Sequence, residues 1–225
     1  MAKDSKSQAA VQELILHFID SYFQEVIKCI VLLDKKSIAK IIEVILVAYQ
    51  TDKNIYILGN GGAASTSSHM AADLGKGTLA RVYDKSEKRL HVISLTDNVA
   101  LITAYANDLN YDDVFLQQLR NLLERDDVVI AISGSGNTKN VINAILYSKK
   151  VGAKTIGLTG FNSGGKLAQI VDVPLIVKTA HYGPIEDVHM MIGHLVSACI
   201  ANFKHSELGF RKSRNNKAVP FRQTS

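Results

Sequence analysis

From Asn54 onward, short apolar runs alternate with stretches of helical spacing, and this alternation restricts what the chain can fold into more than any other feature. "NIYILG" is followed by a helical pattern through His69 to Leu74, "HVISLT" by one through Leu101, and "VVIAIS" by one around Val141 to Lys149. "KTIGLTG" and "DVPLIV" come next, and a last helix is predicted from about Ile185 to Phe203. Runs that are apolar on both faces, separated by helices, predict an α/β fold with a parallel sheet covered by helices on each side. Ligands of such sheets bind at the carboxyl ends of the strands, near a topological switch point.

Two helices precede the first strand. "VQELILHFIDSYFQEVIKCIVLL", from Val11 to Leu33, is apolar at spacings of three and four with a stripe that broadens toward its end. Such a helix packs against much of the protein or against another subunit. "SIAKIIEVILVAYQ" repeats the pattern after Ser37, a candidate cap. With 225 residues, 47% of them hydrophobic, the chain can build one sizeable core. We divide it into a single domain over 1–205, which includes the N-terminal helices at 8–51, and a basic tail over 206–225.

The apolar runs fall short of the ~20 residues of a membrane span, and "MAKDSKSQAAVQ" lacks a signal-peptide core. The expectation is a cytoplasmic protein without membrane contact. Cys29 and Cys199 lie in helical patterns without Cys-x-x-Cys spacing, which suits buried thiols rather than a redox pair or thiolate metal site. Much of the net charge of +5 sits in "FRKSRNNKAVPFRQTS". A basic tail can bind nucleic acid, but no helix-turn-helix, zinc finger or RNP-type pattern accompanies it, so a nucleic-acid partner is not expected.

Two loops carry chemistry. After "VVIAIS", the residues Ser133, Gly134, Ser135, Gly136, Asn137 and Thr138 lead into a helix, gathering backbone N–H groups, hydroxyls and a helix N-terminus at one spot. This suits an anion, phosphate most often; the alternative is a turn with a Ser or Thr cap. It is not a Walker loop, since Gly-Lys-[Ser/Thr] is absent. The second loop, "LGNGGAAS", reads Gly59-x-Gly61-x-x-Ala64 and formally matches a dinucleotide fingerprint. Its acidic partner should end the second strand about 20 residues on, yet Asp97 comes much later. The loop therefore reads as a second backbone wall of a polar pocket, with nucleotide binding as the alternative.

Titratable residues cluster twice. In "SSHMAADLGKG", His69 and Asp73 are four apart, so both can reach one ion or substrate atom, or simply pair on the surface. "GPIEDVHMMIGHLV" holds Glu186, Asp187, His189 and His194. Imidazole and carboxylate together suit zinc or another first-row divalent metal. Eight helical residues separate Glu186 and His194, about 12 Å of rise and ~80° around the axis. They can share a metal only if Glu186 leans inward from the helix entrance, which Pro184 makes feasible, and His194 leans back. His189 reads equally as support for a ligand or as ordinary packing.

The segments "GNGGAAS…SHMAADL", "LTDNVALITAYAND", "AISGSGNTKNV", "IGLTG" and "IEDVHMMIGH" occur in an order and at spacings that resemble SIS (sugar isomerase) domain proteins, most closely the phosphoheptose isomerases. The resemblance runs from the first helices to about Ala201. It implies a five-stranded parallel sheet, a homotetramer with interfacial active sites, and zinc-dependent aldose–ketose isomerisation of sedoheptulose 7-phosphate. By position, it implies that Asn60, Gly61, Gly62, Asp73, Asp97, Ser133, Gly134, Ser135, Thr138 and Glu186 bind the sugar phosphate. His69, Asp73, Glu186 and His194 fall at metal-ligand positions, with Asp73 and His194 as base and acid. The chain departs from the pattern where Asp73 stands for a glutamate, Glu186 for a glutamine, Ala63 for a serine and Gly134 for a threonine. The alternatives are a non-catalytic SIS protein that recognises a sugar phosphate or a protein, as initiator-associating relatives do, and an isomerase of another sugar such as arabinose 5-phosphate.

Overall fold

The computed structural model describes residues 2–205; the basic tail lies outside the described residues. Two helices lead, α1 (Ala2–Val31) and α2 (Lys35–Gln50). The cap of α2 is Asp34 rather than Ser37: its carboxylate accepts from the Lys36 N–H at 2.9 Å and from the Ser37 hydroxyl at 2.9 Å. The residue in extended conformation just before the first turn takes the orphan N–H, and that residue is Asp34.

β1 (Asn54–Gly59) then leads to α3 (Gly62–Ala72), which continues into a single π-helical turn, Asp73–Gly77. β2 (His91–Ser94), α4 (Val99–Asp108), a 3₁₀ turn at Tyr111–Asp113 and α5 (Val114–Leu122) follow. β3 (Val128–Ser133), α6 (Lys139–Val151), β4 (Lys154–Thr159), α7 (Gly165–Ile170), β5 (Val173–Ile176) and α8 (Tyr182–His205) complete the described chain. α8 begins three residues earlier than the periodicity predicts, because its first turn carries Tyr182 and Gly183 rather than apolar residues.

All five strands are parallel, in the order β2-β1-β3-β4-β5. Alternate side chains of the inner strands enter two cores. Ile55, Ile57, Ile130 and Ile132 pack with Ile41, Met70 and Ile192 from α2, α3 and α8. Tyr56, Leu58, Val129 and Ala131 pack with Leu119, Ile145 and Leu167 from α5, α6 and α7. Burying one inner-strand side chain such as Ile57 stabilises the sheet by about 1.5–3 kcal/mol. β2 is an edge strand, and Ile93 on it remains 42% exposed, so its apolar residues do not mark burial on both faces. Chain direction across the sheet reverses between β1 and β3, and the switch-point crevice opens at their carboxyl ends.

Among the described residues, no helix is long and apolar enough to cross a membrane. Cys29 is buried and Cys199 half-buried; both are free thiols whose pKa burial pushes up.

Candidate active site

Asn60 follows β1 directly and stands at the switch-point crevice. Its amide pairs reciprocally with Asn140 in the first turn of α6: Asn60 Nδ2 donates to Asn140 Oδ1 at 2.9 Å, and Asn140 Nδ2 donates to Asn60 Oδ1 at 3.2 Å. The Tyr111 hydroxyl also donates to Asn60 Oδ1, at 2.8 Å. Gly61 caps α3 and Gly62 opens it, both exposed. The Glu186 carboxylate lies directly over Gly62, where a side chain at that position would otherwise reach.

The loop after β3 is held by the segment that runs from the end of β4 into α7. Gly134 carbonyl accepts from Gly160 N–H at 2.9 Å, Gly136 carbonyl from Leu167 N–H at 2.8 Å, and Asn137 Oδ1 from Lys166 N–H at 3.0 Å. Gly136 adopts φ +64°, and its N–H turns back to the Ser133 carbonyl at 3.1 Å and hydroxyl at 3.2 Å. Ser135 Oγ accepts from Asn137 N–H at 3.3 Å. Thr138 is the N-cap of α6 yet its hydroxyl makes no cap bond, lying 3.4 Å from the Ser133 hydroxyl. A 13-residue helix thus points its N-terminus at a loop whose Thr hydroxyl makes no cap bond, an arrangement that attracts an anion. The Tyr182 ring covers Gly134.

Further along α3, three side chains converge. His69 Nε2 and His194 Nε2 are 2.9 Å apart, and Asp73 Oδ2 lies 3.4 Å from the first and 3.7 Å from the second. The three ligand atoms all lie within 4.8 Å of one another. Helical spacing puts His69 above Asp73, and the π turn begins at Asp73, whose N–H reaches both the His69 and Met70 carbonyls. α8 packs against α3 here, with Gly193 beside the Met70 side chain, and His194 reaches His69. Two imidazoles and a carboxylate on neighbouring helices form a donor set that could hold a divalent metal ion.

Glu186 is not a member of that group. It lies at the other end of α3, about 10 Å along the helix from His69. The first turn of α8 places it over Gly62, beside the crevice. Asp97 is tied to the middle of α3 by the Ser68 hydroxyl, with Thr96 3.4 Å from the same carboxylate oxygen. His189 is buried, and its Nε2–H donates to the Thr159 carbonyl at 3.1 Å, locking α8 to the end of β4. Burial pushes its pKa down to about 4, so it stays neutral and serves packing. α1 joins α8 through Tyr22, which donates to Asp187 at 2.6 Å; that bond, aided by burial, pushes the Tyr22 pKa up to about 12.

Asn140, Tyr111 and Tyr182 are the residues at this crevice that sequence reasoning misses. A polar residue at a buried position in the α6 pattern is a signal that could have found Asn140. The tyrosines sit in turn-like sequence that gives no such signal.

The SIS domain family model matches residues 17–160. The chain is similar to the phosphoheptose isomerase of Sulfurimonas denitrificans, 38% identical over 148 residues, 66% of this chain and 73% of the relative. It is 38% identical to that of Helicobacter pylori strain P12 over 173 residues, 76% of this chain and 84% of the relative. Among solved structures, the phosphoheptose isomerase from Neisseria gonorrhoeae superposes with a TM-score of 0.73 at 27% identity, covering 84% of this chain and 98% of that one. The phosphoheptose isomerase from Francisella tularensis gives 0.74 at 26% identity, covering 83% and 97%.

Proposed function

The chain belongs to the SIS domain family and acts as a sugar-phosphate isomerase of the phosphoheptose type, and we propose that it interconverts sedoheptulose 7-phosphate and D-glycero-D-manno-heptose 7-phosphate by metal-assisted proton transfer through an enediolate. The observation that carries the mechanism is the convergence of His69, Asp73 and His194.

The loop Ser133–Thr138 takes the phosphate, supplying backbone N–H groups, the α6 N-terminus and the Thr138 hydroxyl. This anchor is remote from the reacting carbons and orients them. Asn60, Gly61, Gly62 and Asp97 line the sugar, and the position of Glu186 over Gly62 supports a role in sugar binding more than in metal ligation. Asp73 removes the proton from the carbon beside the carbonyl and returns it to the adjacent carbon. His194 gives a proton to the carbonyl oxygen as it becomes a hydroxyl, and takes one from the neighbouring hydroxyl as it becomes the new carbonyl. Each positioned group contributes about 10²–10⁴-fold. A divalent ion, zinc by the donor set, held by His69, Asp73 and His194, would stabilise developing negative charge on those oxygens.

The assembly we propose is a homotetramer. α1 supports it, since Leu14, Phe18 and Phe23 are 69%, 70% and 60% exposed. Large apolar side chains gathered on one helix mark a surface that another subunit covers.

The test is turnover of purified protein on a panel of phosphorylated ketoses, with and without chelator. Chelator removes turnover and added zinc restores it; His194→Ala and Asp73→Asn each lower kcat at least ~10²-fold with the assembly preserved. A parent that consumes no sugar phosphate with metal supplied overturns the reading.

A further inference from the structure

The reciprocal Asn60–Asn140 pair spans the switch-point crevice, one amide following β1 and the other in the first turn of α6 after β3. Counting donors and acceptors shows what the pair leaves available. A side-chain amide oxygen has two lone pairs and the nitrogen two hydrogens. Both lone pairs of Asn60 Oδ1 are occupied, by Asn140 Nδ2 and the Tyr111 hydroxyl. One hydrogen of Asn60 Nδ2 goes to Asn140 Oδ1, and the second has no partner among the described residues.

Asn140 is fully buried, whereas Asn60 is half-buried. An Asn60 left alone could turn its amide over and offer either an acceptor or a donor. Held as it is, it offers one N–H.

We propose that Asn140 and Tyr111 are positioning residues that lock the Asn60 amide, so that the crevice presents a single fixed N–H donor to an oxygen of the phosphorylated sugar. The inference rests on the sugar-phosphate isomerase reading. Neither residue touches the reacting atoms; both act through Asn60. The preference is for a substrate atom with lone pairs, such as a hydroxyl or phosphate oxygen, and against an N–H of an amino sugar at that point.

The experiment compares metal-loaded full-length parent and variants in steady-state kinetics and in calorimetric binding of sedoheptulose 7-phosphate. Tyr111→Phe removes one donor from a half-exposed side chain, so the fold is retained. KM rises about 3- to 10-fold, the loss of one hydrogen bond, while kcat stays within about 2-fold and the thermal midpoint is unchanged. Asn140→Asp supplies a signature that a merely structural role would not give. Its carboxylate accepts from Asn60 Nδ2 but cannot donate to Oδ1, whereas the protonated acid does both. Burial raises the pKa of such a carboxyl, so the ratio of variant to parent kcat/KM climbs as pH falls from about 8 to about 6. Asn140→Leu, which can do neither, gives a flat ratio.

An active parent with an unchanged KM in Tyr111→Phe and a flat ratio in Asn140→Asp overturns this inference alone. A parent that neither binds nor turns over the sugar phosphate overturns the underlying reading and this inference with it. Should the Asn140 variants fail to fold, Tyr111→Phe decides by the split between KM and kcat.

Discussion

Gly136 shows how much of the phosphate loop depends on one residue lacking a side chain. Its φ is +64°, and a Cβ there would lie 1.9 Å from the Gly164 carbonyl oxygen, which is backbone and cannot swing aside. Gly136→Ala is expected to cost about 2–3 kcal/mol in chemical denaturation and to weaken binding of inorganic phosphate by calorimetry. His189 makes a pH prediction at the same scale. Its folded pKa, about 4, lies below the ordinary histidine value, so the unfolded chain takes up a proton that the folded one refuses. Its neutral, buried state contributes fully above about pH 6.5, and stability falls as pH drops from there toward 4, by up to about 3 kcal/mol. In His189→Gln that part of the pH slope disappears, measured by denaturant midpoints between pH 7 and 4. Neither effect is legible in the sequence: "SGSGN" announces a turn, but not which glycine the neighbouring loop crowds, and His189 reads equally as a ligand's support until its bond to Thr159 is seen.

Elements are clasped together by a few polar groups. Asp172, just before β5, accepts from the Thr155 N–H at 2.9 Å and hydroxyl at 2.8 Å and from Lys149 at 2.7 Å, joining β5 to β4 and α6. Burial works to raise its pKa, but these bonds outweigh it and the carboxyl titrates below its usual value. With a depressed folded pKa, the clasp acts fully above the unfolded value of about 3.9 and is lost as pH falls through the folded one. Asp172→Asn is therefore less stable than the parent at pH 7, by about 1 kcal/mol given its solvent exposure, and in urea titrations the difference narrows as the pH falls below the unfolded value of about 3.9. The longer elements were readable from periodicity, because α2 and the buried strands repeat apolar residues over several turns or positions. α5 and α7 were not, being only nine and six residues long, too short for a helical stripe to stand out. The cap of α2 was misplaced by three residues because Asp34 and Ser37 are both good caps, and only backbone conformation separates them.

At the scale of the whole molecule, α1 is hooked to α8 by Tyr22–Asp187 and to the loop before it by Glu25–Thr179, leaving much of its apolar surface bare. The parent is expected to sediment as a multiple of its 24.6 kDa chain, while the double variant Phe18→Glu/Phe23→Glu shifts to a smaller species. A parent that sediments as a monomer would refute the proposed assembly.

The alternation of apolar runs and helical stripes by itself determined a parallel α/β sheet with its glycine loops at the strand ends, because burial patterns and turn chemistry act over neighbouring residues. Distance along the chain hides everything that depends on two elements meeting. His69 and His194 are 125 positions apart and come within 2.9 Å only because α8 packs on α3. The same packing leaves Glu186 at the opposite end of α3, where spacing along α8 alone could not assign it. Asn140 meets Asn60 only because β1 and β3 are neighbours in the sheet, an adjacency set by strand order and not by sequence order.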